Sequence, residues 1–452
     1  MAGKHEIDMC EGALLPKILK CAVPLIFTNL LQILYNAADV IVVGRYSGET
    51  ALAAVGSTSS LINIVINMLI GLSVGASIVA SQYIGANNRQ KTSDTVHTSL
   101  LIALIGGTIF GILGLFISKP MLALTGSPDD VIDQATLYMK IYFLGTPGLM
   151  VANYGTALLR CVGDTKRPFI YFSVSGIINV VLNLIFVINF DMGVAGVAWA
   201  TIISKYFVAV LIVITLLKNE GFIYLNIKEL KIKKAAFFEV LKKGIPVGLQ
   251  AMVFSGSNVI IQSSINSFGS VVMAGNAAAA NIENFLYTAM NAFCHVTTTF
   301  VAQNYGAQKY KRMDKSLLIS SGLVALIGIS VSLLIIPFER FLIGIYAPGN
   351  EAAISYGVLR FKYIFHIYFL CGLMETATGA LRGMGKTVTS MIISIVCVVG
   401  IRIVWIFTVF KALKTLESLF ISYSLSWTAA IAILIVTYVV LRKKLNKQKE
   451  SL

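Results

Sequence analysis

An all-α integral membrane protein of twelve transmembrane helices, arranged as two pseudo-symmetric six-helix lobes, is what this sequence predicts, on three observations. The 452-residue chain is 57% hydrophobic and 13% charged, with a mean hydropathy of +0.81, too apolar to cover a water-facing surface with polar groups. Its apolar runs are continuous and about 20 residues or longer, the length a helix needs to cross ~30 Å of hydrocarbon; they lack the period-two alternation of a barrel. The chain is also written twice. Pro24 in LKCAVPLIF answers Pro246 in LKKGIPVGL, Gly48 answers Gly269, SQYIGA at 81–86 answers AQNYGA at 302–307, and LLRCVGDT at 158–165 returns as ALRGMGKT at 380–387. A period of about half the chain is too long for a solenoid and suits a transporter with two membrane lobes.

The spans fall near 15–43, 51–81, 95–117, 132–158, 168–189 and 193–217 in the first copy, and near 238–265, 275–302, 316–338, 352–380, 389–410 and 417–441 in the second. The first has Lys4, Lys17 and Lys20 before or at its start, yet it is too long for a signal-peptide core and lacks a cleavage site, so it stays as the first helix. Residues 1–217 form the N-terminal lobe, 218–243 a cytosolic basic linker, and 244–452 the C-terminal lobe with a basic cytosolic tail. With six spans each, the lobes start on the same side and are parallel repeats about an axis along the membrane normal, with a cavity on that axis. Pro24 and Pro246 lie inside the first span of each lobe, where the missing N–H and the ring weaken the helix. They read either as hinges or as static kinks, and their duplication favours a shared role.

The net charge of +15 raises the question of nucleic acid, which the distribution answers negatively. With a cytoplasmic N-terminus, the inner side carries Lys4, Lys17, Lys20, Arg89, Lys91, Arg160, Lys166 and Arg167, the linker lysines from Lys218 to Lys243, then Lys309, Lys311, Arg312, Lys315, Arg382, Lys386 and the tail from Arg442 to Lys449. The outer loops hold Arg45, Lys119, Arg340, Lys411 and Lys414. This positive-inside pattern predicts a multi-pass protein of the inner (plasma) membrane with both termini in the cytoplasm. The six cysteines lack CxxC spacing and the four histidines, His5, His97, His295 and His366, lack ligand spacing, so neither disulfides nor a histidine metal site is expected.

Charge at membrane depth costs roughly 2.5–3.5 kcal/mol on insertion scales, so each such residue needs a partner, a wet cavity or a function. Asp39 closes QILYNAAD in the first span, with Gln32, Tyr35 and Asn36 on its helical face. Counting residues from the outer ends places Asp39, Asn183 of NVVLN in the fifth span and Thr201 in the sixth at similar depths, ~8–12 Å down at ~1.5 Å per residue, with Asn179 one turn deeper. Together they make an oxygen-lined pocket in the first lobe. A carboxylate with amide and hydroxyl oxygens can hold Na⁺, or the carboxylate can take up a proton; either gives an ion-coupling site. The plainer alternative is a set of hydrogen bonds tying the helices together. In the second lobe Glu283 of AAAANIENF and Glu375 of GLMETATG lie inside spans. They are candidate cavity acids for a cationic substrate, or partners for Lys205, Arg360, Lys362 and Arg402.

The doubled LRxxGxT, the first span's ending YNAADVIVVGRYSG, SQYIGA with AQNYGA, and MGVAGVAWAT opening the sixth span resemble the multidrug and toxic compound extrusion (MATE) family over nearly the whole chain. The single acid of the first span looks most like the branch related to DNA-damage-inducible protein F and the Gram-positive multidrug exporters. The resemblance implies secondary efflux, not enzyme chemistry: H⁺ or Na⁺ enters while an amphipathic, often cationic compound leaves by alternating access, with no cofactor beyond the coupling ion. It implies Asp39 as the coupling residue, Asn179, Asn183 and Thr201 as its partners, and Gln32 and Asn153 as cavity amides. Small substrates and membrane lipids are the expected partners, nucleic acid is not, and a monomer is the expected state. Asn183 departs from the family, where many relatives have an aspartate, and leaves the pocket one carboxylate. The rival reading is a lipid-linked oligosaccharide flippase of a related two-lobe family, which tends to have further helices and a strongly basic cavity.

Overall fold

A computed structural model describes residues 6–126 and 128–450; Lys4 and His5, and the side chain of Lys449, lie outside what it describes. The first half runs through α1 (Leu14–Tyr46), α2 (Gly48–Gly85), α3 (Arg89–Leu124), α4 (Asp129–Leu144), α5 (Thr146–Cys161), α6 (Lys166–Leu184) and α7 (Gly193–Leu217). The second half contains α8 (Lys234–Asn266), α9 (Ser270–Gly306), α10 (Tyr310–Ile335), α11 (Glu339–Tyr346), α12 (Glu351–Tyr363), α13 (Phe369–Gly383), α14 (Thr387–Ser394), α15 (Ile401–Trp405), α16 (Lys411–Leu413) and α17 (Leu416–Glu450). No strand occurs among the described residues.

Nine helical stretches among the described residues are long and apolar enough to cross a bilayer, and the bent pair α12–α13 makes a tenth. The more polar α4–α5 and α9 complete the twelve crossing segments of the expected fold class. Two expected spans are broken. The fourth divides at Gly145, where Pro147 opens α5 within its first turn; proline lacks the N–H that would continue the ladder and is at home at a helix start. The tenth bends by 42° between α12 and α13. Apolar sequence runs through both breaks, which is why hydropathy reads each as one span.

The chain separates into two compact units, one of Leu19–Gly248 with the residues before Ala13, the other of Leu249–Leu452 with Ala13–Ile18. The first unit therefore ends inside α8, not at a linker. The polar stretch expected over 218–243 is shorter, because α8 already begins at Lys234. It is also pinned to the first unit: Asn226 N–H donates to His97 Nε2 (3.0 Å) and Lys233 N–H to Thr98 Oγ1 (3.1 Å), with Ile223 and Leu225 buried.

The duplicated motifs are duplicated turns. In LLRCVGDT, Gly163 N–H donates to Arg160 O and Asp164 N–H to Leu159 O; in ALRGMGKT, Gly385 N–H donates to Arg382 O and Lys386 N–H to Leu381 O. Both glycines sit at positive φ, +78° and +77°, as the left-handed residue ending a helix requires. Likewise Asn88 N–H reaches back to Tyr83 O after SQYIGA, and Lys309 N–H to Asn304 O after AQNYGA. The repeat seen in sequence is a repeat of helix stops.

Candidate functional site

The pocket builds up from five helices of the first unit, α1, α2, α5, α6 and α7. On α1 the 3.6-residue period puts Gln32, Tyr35, Asn36 and Asp39 along one side. The Tyr35 hydroxyl donates to Phe172 O on α6 (2.8 Å). The ring fits because Gly176 faces it: a Cβ there would lie 1.7 Å from the Tyr35 ring. Ser175 Oγ donates to Ser204 O (2.8 Å) and so ties α6 to α7.

Asp39 is 6% exposed. Asn183 Nδ2 donates to its Oδ1 (2.5 Å) and the Thr201 hydroxyl to its Oδ2 (3.3 Å). Asn179 Nδ2 donates to Thr201 Oγ1, and Asn183 Nδ2 also reaches Asn179 Oδ1, both at 3.4 Å. Asp39, Asn183 and Thr201, which counting places at similar depths, and Asn179, one turn deeper, thus form one hydrogen-bonded cluster. Beside it lies a cavity lined by Gln32, Tyr35, Asn36, Asp39, Asn153, Asn179, Thr201 and Lys205, with Ile66, Ile70, Leu149 and Phe172 among its apolar wall. Its volume of about 80 Å³ is several times the ~10–15 Å³ that one water needs. Asn153 Nδ2 is buried without a hydrogen-bond partner among the described residues. A donor so placed is satisfied by water or another acceptor entering the cavity.

Lys205 was missed as a pocket residue, having been assigned among partners for the second-lobe acids. The signal was present: it follows Thr201 by four residues, one turn along the same face of α7.

The second unit differs. Glu283, expected as a cavity acid, is instead buried in a two-pronged ion pair: Arg360 Nε donates to Oε1 (2.9 Å) and Nη2 to Oε2 (2.6 Å). Arg360 Nη1 also donates to Asn276 Oδ1 (2.6 Å), and the guanidinium lies over the Phe420 and Tyr423 rings. Desolvating a carboxylate demands such pairing, and Glu283 has no charge left for a cargo. Glu375 is 6% exposed on α13, and no ion pair or hydrogen bond reaches its side chain among the described residues. Of Lys205, Arg360, Lys362 and Arg402, the proposed partners, only Arg360 pairs with one of these acids. Arg402 stacks on Tyr423 (4.0 Å to the ring centre) and donates to Ser426 Oγ. The positions matching Asp39, Asn179 and Asn183 carry Ile261, which is buried, and Ile401 and Trp405, whose indole N–H donates to Ser418 O.

Pro24 lies within an unbroken α1 and Pro246 within an unbroken α8. The Thr28 hydroxyl donates to Pro24 O (2.7 Å).

Two bundles of crossing helices, one holding a buried carboxylate against a polar cavity, define a polytopic membrane transporter. The chain belongs to the MatE family, whose sequence pattern matches twice, over residues 24–185 and 246–408, and it is a MATE family transporter. It is 26% identical over 86% of its length to the "Probable multidrug resistance protein YpnP" of Bacillus subtilis (strain 168), covering 87% of that protein. It is 22% identical over 82% to the "Multidrug export protein MepA" of Staphylococcus aureus (strain NCTC 8325 / PS 47), covering 82% of it. A solved structure described as "Outward-facing conformation of a multidrug resistance MATE family transporter of the MOP superfamily" superposes with a TM-score of 0.90 over 99% of this chain and 100% of that one at 21% identity, which establishes a shared fold.

Na⁺ at this pocket would have Asp39, Thr201, Asn179 and Asn183 as oxygen ligands. In kind they suit a hard cation, and Asn183 Oδ1 is buried without a hydrogen-bond partner among the described residues. In charge they do not, since two donors already face the carboxylate and Lys205 adds an ammonium to the lining of the same cavity.

Proposed function

We propose that this protein is a cation-coupled antiporter, H⁺ and Na⁺ being the two ions its sequence admits, that exports amphipathic, often cationic compounds by alternating access. It would act as a monomer in the plasma membrane with both termini in the cytoplasm. The observation that carries the reading is Asp39: a carboxylate buried at membrane depth, held by donors from α6 and α7, and facing a cavity. The names of YpnP and MepA support drug export as the transport reaction.

Neutralising Asp39 changes what Asn183 and Thr201 hydrogen-bond to and so biases how α1 packs on α6 and α7. The Pro24 turn, with one ladder hydrogen bond fewer, is where α1 would yield, and Pro246 would serve α8 likewise. Coupling requires the ion and the cargo to prefer different states, because a ligand that binds both states equally shifts nothing. Glu375 remains the candidate second-lobe acid for a cationic cargo.

The test is export of ethidium from proteoliposomes under separately imposed proton and Na⁺ gradients. Wild type should export against the ethidium gradient, and Asp39→Asn should lose uphill export while retaining its melting temperature. Uphill export by a normally folded Asp39→Asn protein, or no response of the wild type to either gradient, overturns the proposal.

A further inference from the structure

Lys205 has no place in the coupling scheme so far, yet it lines the same cavity as Asp39. No carboxylate oxygen lies within 4.0 Å of its ammonium, and its side chain makes no hydrogen bond, among the described residues. An unpaired ammonium in a bilayer span needs a reason. The opposite charge lining the same cavity is Asp39, and the two attract from beyond ion-pair distance. Of the residues lining the cavity, the remaining titratable one is Tyr35, whose hydroxyl is bound to Phe172 O, and the neutral phenols of Tyr138 and Tyr142 on α4 also feel the Asp39 charge. The formal charge of the site is therefore −1 from Asp39 and +1 from Lys205, a sum of zero. A Na⁺ entering it would leave a net positive charge there, against the field of the ammonium and of two N–H or O–H donors already turned toward the carboxylate.

We propose that Lys205 is the resident counter-cation of the Asp39 pocket. Its ammonium supplies the positive charge that Na⁺ would bring, so the pocket refuses Na⁺ while Lys205 is present and accepts it when Lys205 is removed. The cluster holds one carboxylate, to which the Asn183 amide donates, and the lysine lining the same cavity balances that single charge. The inference deepens the reading of Asp39 as the coupling residue and takes its functional meaning from that reading.

The measurement is saturable ²²Na⁺ binding to the purified full-length protein in detergent, with thermal melting in NaCl against choline chloride as a second readout. Wild type and Lys205→Arg, which keeps the charge, should show neither binding nor Na⁺-dependent stabilisation. Lys205→Met should gain both, with Na⁺ affinity raised ~10-fold or more, as expected from removing one nearby unit charge at an effective dielectric of about 20. Adding Asp39→Asn to Lys205→Met should abolish the gain. Lys205→Gln replaces the methionine variant if that one does not fold. Asp39-dependent Na⁺ binding by the wild type, or no gain in a folded Lys205→Met or Lys205→Gln protein, overturns the assignment. Gradient-driven export by Asp39→Asn judges the coupling reading separately: if that variant still exports uphill while Lys205→Met gains Asp39-dependent Na⁺ binding, the coupling role falls and the counter-cation stands.

Discussion

At the residue scale, the two buried acids with the clearest partners are satisfied in opposite ways, and the difference separates structure from function. Glu283 is matched by Arg360 through two hydrogen bonds, and the arginine's third contact goes to Asn276. Such a pair is closed. Asp39 has neutral donors at hydrogen-bond distance and its countercharge, Lys205, elsewhere on the lining of the same cavity, beyond ion-pair distance, so its charge remains open to change. Glu283→Gln should therefore act on stability: removing one partner of a buried pair leaves the other uncompensated and costs about 3–5 kcal/mol. Removing both, as in Glu283→Leu with Arg360→Met, should recover much of that loss. Thermal melting of the single and double variants in detergent measures the difference, and a double variant as unstable as the single one would show that packing, not charge, holds this site. The Asp39 cluster was legible in sequence because residues at equal depth on adjacent helices meet, and depth follows from rise per residue. The Glu283–Arg360 pair was not, since 77 residues separate its members and periodicity does not say which faces of α9 and α12 oppose each other. Lys205 was visible as a charge in a span but not as a neighbour of Asp39.

At the element scale, the helix stops were more legible than the helix interruptions. The motifs repeated in the two copies lie at helix stops: Gly48 and Gly269, and Gly163 and Gly385, take positive φ, whereas after SQYIGA and AQNYGA the left-handed residues are Asn87 and Gln308. The breaks at Gly145 and between α12 and α13 escaped because hydropathy integrates over a span and continues through a bend. Gly163 allows a direct test. Its φ of +78° disfavours any L side chain, a strain of roughly 1–2 kcal/mol, and a Cβ would meet Ile7 Cβ at 2.7 Å. Ile7 N–H donates to Val162 O (2.8 Å), anchoring the segment that leads into α1. Gly163→Ala should lower the melting temperature and expose residues 6–12 to limited proteolysis. Unchanged protection of that segment would show that the turn relaxes without releasing it.

At the scale of the whole molecule, the pocket breaks the symmetry that the duplication sets up: Ile261, and positions near Ile401 and Trp405, stand where the first copy has Asp39, Asn179 and Asn183. Charge keeps that symmetry, alternating between basic and weakly charged loops in both copies, and the orientation expected from it follows because Lys and Arg near span ends are retained on the cytoplasmic side. The orientation can be read by cysteine labelling with little background: five of the six native cysteines, Cys21, Cys161, Cys294, Cys371 and Cys397, are buried, leaving Cys10 to be replaced by serine. In that Cys10→Ser protein, Lys411→Cys should react with a membrane-impermeant maleimide in intact cells. Lys311→Cys, in the basic turn after AQNYGA, and Lys444→Cys, near the end of α17, should react only after permeabilisation. Six crossings in each copy require the two inner positions to behave alike and oppositely to Lys411→Cys; labelling of Lys311→Cys and Lys444→Cys on opposite sides would mean an odd number of crossings between them, contradicting the twelve-span assignment.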